Sequence, residues 1–243
     1  MNKQDILDAV NNALNHKSNL DEDVLSINGM SSPKVRHLIN NICSISGISH
    51  YLEVGTWRGS TLISAISNNK NIKMALGVDN FSQFVEPHPT TKAWLHCNHN
   101  TDNLFWKTSL HPKDELRRNI EFFAENDYNL GANISYIDGD CFGDKVHELL
   151  KDVAKLAKFD VYFYDGEHSK ENQKRGVVEM APYLSDKFIL LVDDYNASDV
   201  RDGTIDALKQ LNYKILYSQE LYSRYNTDLD TWWNGIGVFL IEK

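Results

Sequence analysis

Acids stand at the ends of apolar runs in this chain, and two such places suggest shared chemistry. Phe159-Asp160-Val161-Tyr162-Phe163-Tyr164 reads as a buried strand and runs straight into Asp165-Gly166-Glu167-His168. Phe188-Ile189-Leu190-Leu191-Val192 reads as another and runs into Asp193-Asp194-Tyr195, with a helix expected over roughly 169–183 between them. Two parallel strands joined by one right-handed crossover helix are usually neighbours. Their carboxyl ends then lie about 4.8 Å apart. Asp165, Asp193 and Asp194 should therefore converge at the edge of the sheet where open α/β sheets bind ligands. Three carboxylates crowded together repel one another unless a cation sits among them. An all-oxygen ligand set suits a hard ion, Mg²⁺ first, with Mn²⁺ or Ca²⁺ as alternatives. The competing reading is three capping acids at separate helix starts.

A second constellation lies in Ser49 to Ile66, SHYLEVGTWRGSTLISAI. Tyr51 to Val54 reads as the end of a buried strand, Gly55-Thr56-Trp57-Arg58-Gly59 as a tight turn, and Ser60-Thr61 as the opening of an amphipathic helix. Such a turn cradles a nucleotide, because glycines allow close backbone approach and a helix start offers free N–H groups. The spacing lacks the middle glycine of the dinucleotide fingerprint. Glu53 stands just before the turn, where a carboxylate would repel a phosphate. It suits instead a ligand with an ammonium and a sulfonium, which describes S-adenosylmethionine. The expected contacts are Glu53, Gly55, Thr56, Gly59, Ser60 and Thr61. Asp79 closes a second strand, Ile72 to Asp79, in the place where such folds bind a ribose diol.

The acid-x-Gly-x-x-x-Gly pattern resembles the first motif of the class I S-adenosylmethionine-dependent methyltransferases. The Asp-Gly-Glu-His and Asp-Asp-Tyr runs are similar to those of the metal-dependent O-methyltransferases: the catechol and caffeoyl-CoA types and, more closely, the macrocin-type sugar methyltransferases. The resemblance covers about residues 30–200 in motif order and is weakest over 80–128 and the C-terminal loop. It implies a doubly wound, mostly parallel, seven-stranded Rossmann-like α/β sheet with an antiparallel last strand. It also carries an adenine contact to Asp140, in Gly139-Asp140 after the strand at 132–138, with Cys141 as neighbour of the base. Asp165 is placed between cofactor and metal, and His168 stands where catechol-type enzymes commonly have a lysine, so the identity of the general base is open. An imidazole there can take a proton near neutral pH.

Around these motifs the chain reads as one domain, 1–243, with a helical extension over 1–46 and a long insertion over 80–128. The extension holds a helix at 4–14 and another opened by Ser32 and Pro33; they are expected to cover the sheet or to act as a lid. The insertion exceeds ordinary loop lengths. It carries Phe81, Phe84, Trp94, Phe105 and Trp106, the His96-Cys97-Asn98-His99 run and a helix at 113–125, and it is expected to form an aromatic substrate cap. The last two strands, at 213–217 and 235–241, are joined by too short a run for a crossover and should be antiparallel. Trp232 and Trp233 between them are expected to close over a substrate or to mediate a homodimer.

The hydrophobic fraction of 42% supports a large core, and the net charge of −9 argues against nucleic-acid and anionic membrane partners. No apolar run reaches the about 18 residues that span a bilayer. The polar start MNKQDILDAV does not read as a signal peptide, and three widely spaced cysteines suit a reducing, cytoplasmic compartment. The expectation is a metal-dependent O-methyltransferase for a small hydroxylated molecule, a sugar or vicinal diol. The rivals are a nicotinamide oxidoreductase, a metal-independent methyltransferase and a non-catalytic binding module of the same fold.

Overall fold

A computed structural model describes residues 1–82, 94–95, 107–108, 110–126 and 133–243. Helix α1 (Lys3–Leu14) starts on a reciprocal cap: Asn2 accepts from the Gln4 and Asp5 N–H groups, and Asp5 accepts from the Asn2 N–H. After the single turn α2 (Glu22–Leu25) comes α3 (Pro33–Cys43), where Ser32 caps the Val35 N–H and proline takes the first helical position, as the sequence predicts. The extension packs rather than projects. The stripe Ile6, Ala9, Val10 and Ala13 of α1 joins Leu38, Ile39 and Ile42 of α3 in one apolar cluster.

Strand β1 (His50–Val54), helix α4 (Ser60–Ile66) and strand β2 (Met74–Asp79) follow. The two-residue strands β3 (Trp94–Leu95) and β4 (Lys107–Thr108) pair antiparallel. Then come α5 (Pro112–Glu125), β5 (Asn133–Asp138), α6 (Asp144–Leu156), β6 (Phe159–Tyr164), α7 (Lys170–Met180), β7 (Leu184–Val192), α8 (Ser198–Leu211), β8 (Lys214–Leu221) and β9 (Ile236–Glu242). The main sheet has seven strands in the order β5-β2-β1-β6-β7-β9-β8. All pairs from β5 to β7 are parallel, and β9 lies antiparallel between β7 and β8, as expected.

Alternation along the strands feeds two cores. Tyr51, Val161, Phe163, Ile189 and Leu191 pack with α1, α3 and α4. Leu52, Val54, Tyr162, Tyr164, Leu190 and Val192 pack on the opposite face with residues of α6, α7 and α8. Central strands covered on both faces read as continuous apolar runs, which is why they were legible. Within 80–128 the described helix α5 is the covering helix of the β2–β5 crossover, with Leu116 and Phe123 buried. The side chains of Phe84, Trp94, His96, Cys97, His99, Phe105 and Trp106, and with them most of the expected cap, lie outside the described residues. Trp232 and Trp233 are 6% and 3% exposed and belong to the core, so neither presents a surface to a substrate or a partner. No helix among the described residues is long and apolar enough to cross a membrane.

Candidate active site

Strand order reverses between β1 and β6, so their carboxyl ends form the crevice where such sheets take ligands. Val54 pairs with Tyr164, and Tyr164 with Val192. The residues that follow are laced together: the Asp165 N–H donates to Val54 O at 2.9 Å, and the Asp193 N–H to Tyr164 O at 3.0 Å. Gly55 is confined between these ends. Its φ is +90°, and a Cβ there would lie 1.9 Å from the Asp165 carbonyl oxygen. Only glycine meets both demands.

The turn of residues 55–59 closes through Gly59, also left-handed at φ +81°, which caps α4 without a side-chain hydrogen bond. Glu53 is completely buried. Tyr51 Oη donates to its Oε2 at 2.6 Å and Thr61 Oγ1 to its Oε1 at 2.9 Å, so Glu53 grips the first turn of α4 from inside. Burial pushes its carboxyl up to about 8, against the opposing hydrogen bonds. Thr56, Ser60 and Thr61 are buried in the same turn. Asp79 accepts the Trp57 N–H at Oδ2 and the Phe81 N–H at Oδ1, each at 2.7 Å, and so ties the turn to the end of β2. Burial raises its carboxyl above the usual range despite those two donors.

Beside this turn the acids converge. Oxygens of Asp165 and Asp194 and a nitrogen of His168 all lie within 4.8 Å of one another, and they form the one such metal-compatible group among the described residues. His168 Nε2 is 2.8 Å from Asp194 Oδ2 and 3.9 Å from Asp165 Oδ1. Burial alone would lower the imidazole, but the two carboxylates override it and push His168 up to about 11. Burial, with Asp194 adding repulsion, pushes Asp165 up to about 6. Asp193 is 4% exposed, and its Oδ1 has no hydrogen-bond partner among the described residues. Burial first, then the charges of Asp165 and Asp194, hold its carboxyl well above the usual range. The crowding expected of three carboxylates is therefore present, although the group that lies within 4.8 Å takes His168 rather than Asp193 as its third member.

Asp140 and Cys141 stand ahead of α6 and are not members of this group. Asp140 is exposed, and its Oδ1 accepts the Phe142 N–H at 3.0 Å within its own turn. Cys141 is a half-buried free thiol that burial pushes up to about 12, which makes it a packing group rather than a nucleophile. The sequence pattern does not single out Arg58, whose guanidinium is fully buried beside Glu115 of α5. No local pattern announces that pairing, because the partners come from different elements. Two surface grooves, of about 270 and 500 Å³, lie elsewhere and contain none of the expected site residues.

Comparison with known proteins agrees with this architecture. A family model described as a methyltransferase domain matches residues 52–195, more than half of the chain. No curated protein matches. Among solved structures, a cofactor-bound protein from MTB aligns at TM-score 0.53 with 14% identity, covering 97% of this chain and 88% of its own. The O-methyltransferase from Bacillus cereus in complex with SAH aligns at 0.52 with 13% identity, covering 97% and 91%. A precorrin-6y C5,15-methyltransferase from Geobacter metallireducens aligns at 0.50 with 12% identity, covering 87% and 88%. At such identities these likenesses speak for the fold alone, and they span different methyl acceptors. The matched family model, together with the sheet order and the glycine turn, places the chain in the methyltransferase-domain family, as a class I S-adenosylmethionine-dependent methyltransferase.

Proposed function

We propose that this enzyme methylates a hydroxyl of a small molecule, a sugar or another vicinal diol, with the help of a divalent cation. The observation that carries the reading is the meeting of Asp165, Asp194 and His168 within 4.8 Å, beside the glycine turn that would hold the methyl donor. The residues fit a cation. Among the described residues, two carboxylates, an imidazole and the Asp193 Oδ1 that lacks a hydrogen-bond partner form a set that is short of positive charge and of hydrogen-bond donors. Asp165 and Asp194 would hold the ion, with Asp193 behind them; the oxygens suit Mg²⁺ or Mn²⁺, and an imidazole ligand would favour the latter over Ca²⁺. When bound, such an ion supplies Lewis acidity that makes a neighbouring hydroxyl a better nucleophile.

The residues also fit the donor. The tight Gly55 turn, Asp79 at the end of β2 and the Asp165 backbone border one crevice. The O-methyltransferase from Bacillus cereus is described with SAH, which supports the same donor product here. Asp140 and Cys141 would border the base, by the resemblance to class I enzymes. His168 orients itself on Asp194, and the two carboxylates raise its pKa, so a role as base requires that its own proton leave first. The net charge of −9 favours a small acceptor over a nucleic acid.

A second reading has one observation in its favour. Nε2 of His168 lies 2.8 Å from Oδ2 of Asp194, so a metal-independent enzyme could use the His168–Asp194 pair alone. Anomalous scattering from crystals grown with manganese and S-adenosylhomocysteine separates the two. A peak among Asp165, Asp193 and Asp194 supports the metal-dependent reading, and no peak at saturating manganese removes it.

A further inference from the structure

The turn that would bind the donor is held in an unfavourable shape. Between the left-handed glycines at 55 and 59, Trp57 also has a positive φ of +47°, which is uncommon for a large side chain. Something outside the turn must hold it there. Arg58 carries no exposed surface, and charged side chains are seldom wholly buried unless paired. Its Nε lies 3.2 Å from Oε2 of Glu115, and its guanidinium carbon lies 4.1 Å from the centre of the Trp57 ring. On the same face of α5, four residues on, Asn119 Nδ2 donates to the Arg58 carbonyl at 2.9 Å. Leu116 fills the space between, so that a Cβ on Gly59 would come within 2.5 Å of its Cδ1.

One helix thus grips both the side chain and the backbone of a single turn residue. We infer that Arg58 is a positioning residue for methyl-donor binding, and that Glu115 and Asn119 of α5 hold it so that the turn of residues 55–59 stays shaped for the donor. This rests on the reading of that turn as the donor site. Arg58 acts through the turn and needs no contact with the donor itself.

The test is calorimetric titration of S-adenosylhomocysteine into the wild type and into Glu115→Gln, Arg58→Lys, Arg58→Met and Phe123→Leu, each checked by circular dichroism and thermal melting. Phe123 is buried on the same helix and serves as a stability control. Glu115→Gln and Arg58→Met should raise Kd by about tenfold or more, the scale set by small misplacements of binding groups. Arg58→Lys should fall between them and the wild type, since it keeps the charge and loses the planar fork. Phe123→Leu should lower the melting temperature and leave Kd unchanged. Folded Glu115→Gln that binds like the wild type overturns the inference, and so does a Kd that merely follows melting temperature across all four variants. Should Arg58→Met not fold, Glu115→Gln and Arg58→Lys decide. A wild type that does not bind S-adenosylhomocysteine defeats the donor-site reading and this inference together, whereas wild-type binding with unaffected variants defeats this inference alone.

Discussion

Nε2 of His168 lies 2.8 Å from Oδ2 of Asp194, across the gap between the loop that follows β6 and the loop that follows β7. Asp194 reaches this place in a left-handed backbone conformation, φ +54°. For a residue other than glycine such a conformation costs on the order of 1–3 kcal/mol and tends to persist at functional sites. The strain turns the second acid of the doublet toward His168, while Asp193 stays buried beneath. The doublet therefore divides its labour between an outward and an inward carboxylate.

Removing the outward carboxylate should remove the cation. Asp194→Ala is expected to weaken Mn²⁺ binding by more than about 100-fold, since even outer partners of metal ligands are worth 10–100-fold. Affinity for S-adenosylhomocysteine should stay near that of the wild type. Electron paramagnetic resonance of free manganese reads the first quantity and calorimetry the second. Wild-type manganese affinity in this variant would contradict the assignment of Asp194.

The pair also fixes how His168 titrates. Its folded pKa, about 11, is raised above the ordinary 6.5, so its contribution to stability is complete below 6.5 and is lost as pH rises toward 11. In protein stripped with EDTA, the ring resonances of His168 should stay those of an imidazolium through pH 8. Saturating Mg²⁺ should move the titration downward, because a cation shared by Asp165 and Asp194 competes with the imidazolium for the same oxygens. Nuclear magnetic resonance on histidine-labelled protein checks both, and a midpoint near 6.5 without metal would show that the pair does not persist in solution.

Glu53 gives a prediction about stability. Its carboxyl is raised from 4.5 to about 8, so the folded state holds a proton that the unfolded chain has lost over that window. Stability should fall as pH rises from about 4.5 to 8, with a contribution from this group of up to about 1.4 kcal/mol per pH unit. Glu53→Gln should flatten that part of the profile and equal or exceed the wild type at pH 8. Urea denaturation at several pH values decides the matter: parallel profiles for the two proteins would mean that Glu53 is ionised in the fold.

Asp79 serves two N–H groups with two oxygens, and an asparagine could serve only one of them with its single oxygen. Asp79→Asn should cost about 1–3 kcal/mol, the usual consequence of leaving one buried donor unmet. If the same carboxylate also meets the ribose, the variant should discriminate less between S-adenosylhomocysteine and its 2′-deoxy analogue. Denaturation measures the first effect and competitive binding the second, and unchanged discrimination would leave Asp79 with its part in the turn alone.

The sequence alone determined the sheet. Apolar runs such as Phe188 to Val192 can only be strands covered on both sides, and the order of strands, helices and glycine turns admits few topologies. It also determined that Asp165 and Asp194 meet, because adjacent parallel strands in register put their ends together. Other features were decided by tertiary structure. Asp193 and Asp194 are chemically identical in the sequence, and only the backbone torsion after Val192 makes one buried and the other a partner of His168. Trp232 and Trp233 could equally have faced solvent, and it is the packing of their loop into the core shared with α3 that buries them. Arg58 looked like an ordinary turn residue until α5 brought Glu115 to it. Periodicity reports which face of an element is apolar, but a contact between two polar side chains from distant elements leaves no periodic trace, so only the assembled fold can reveal it.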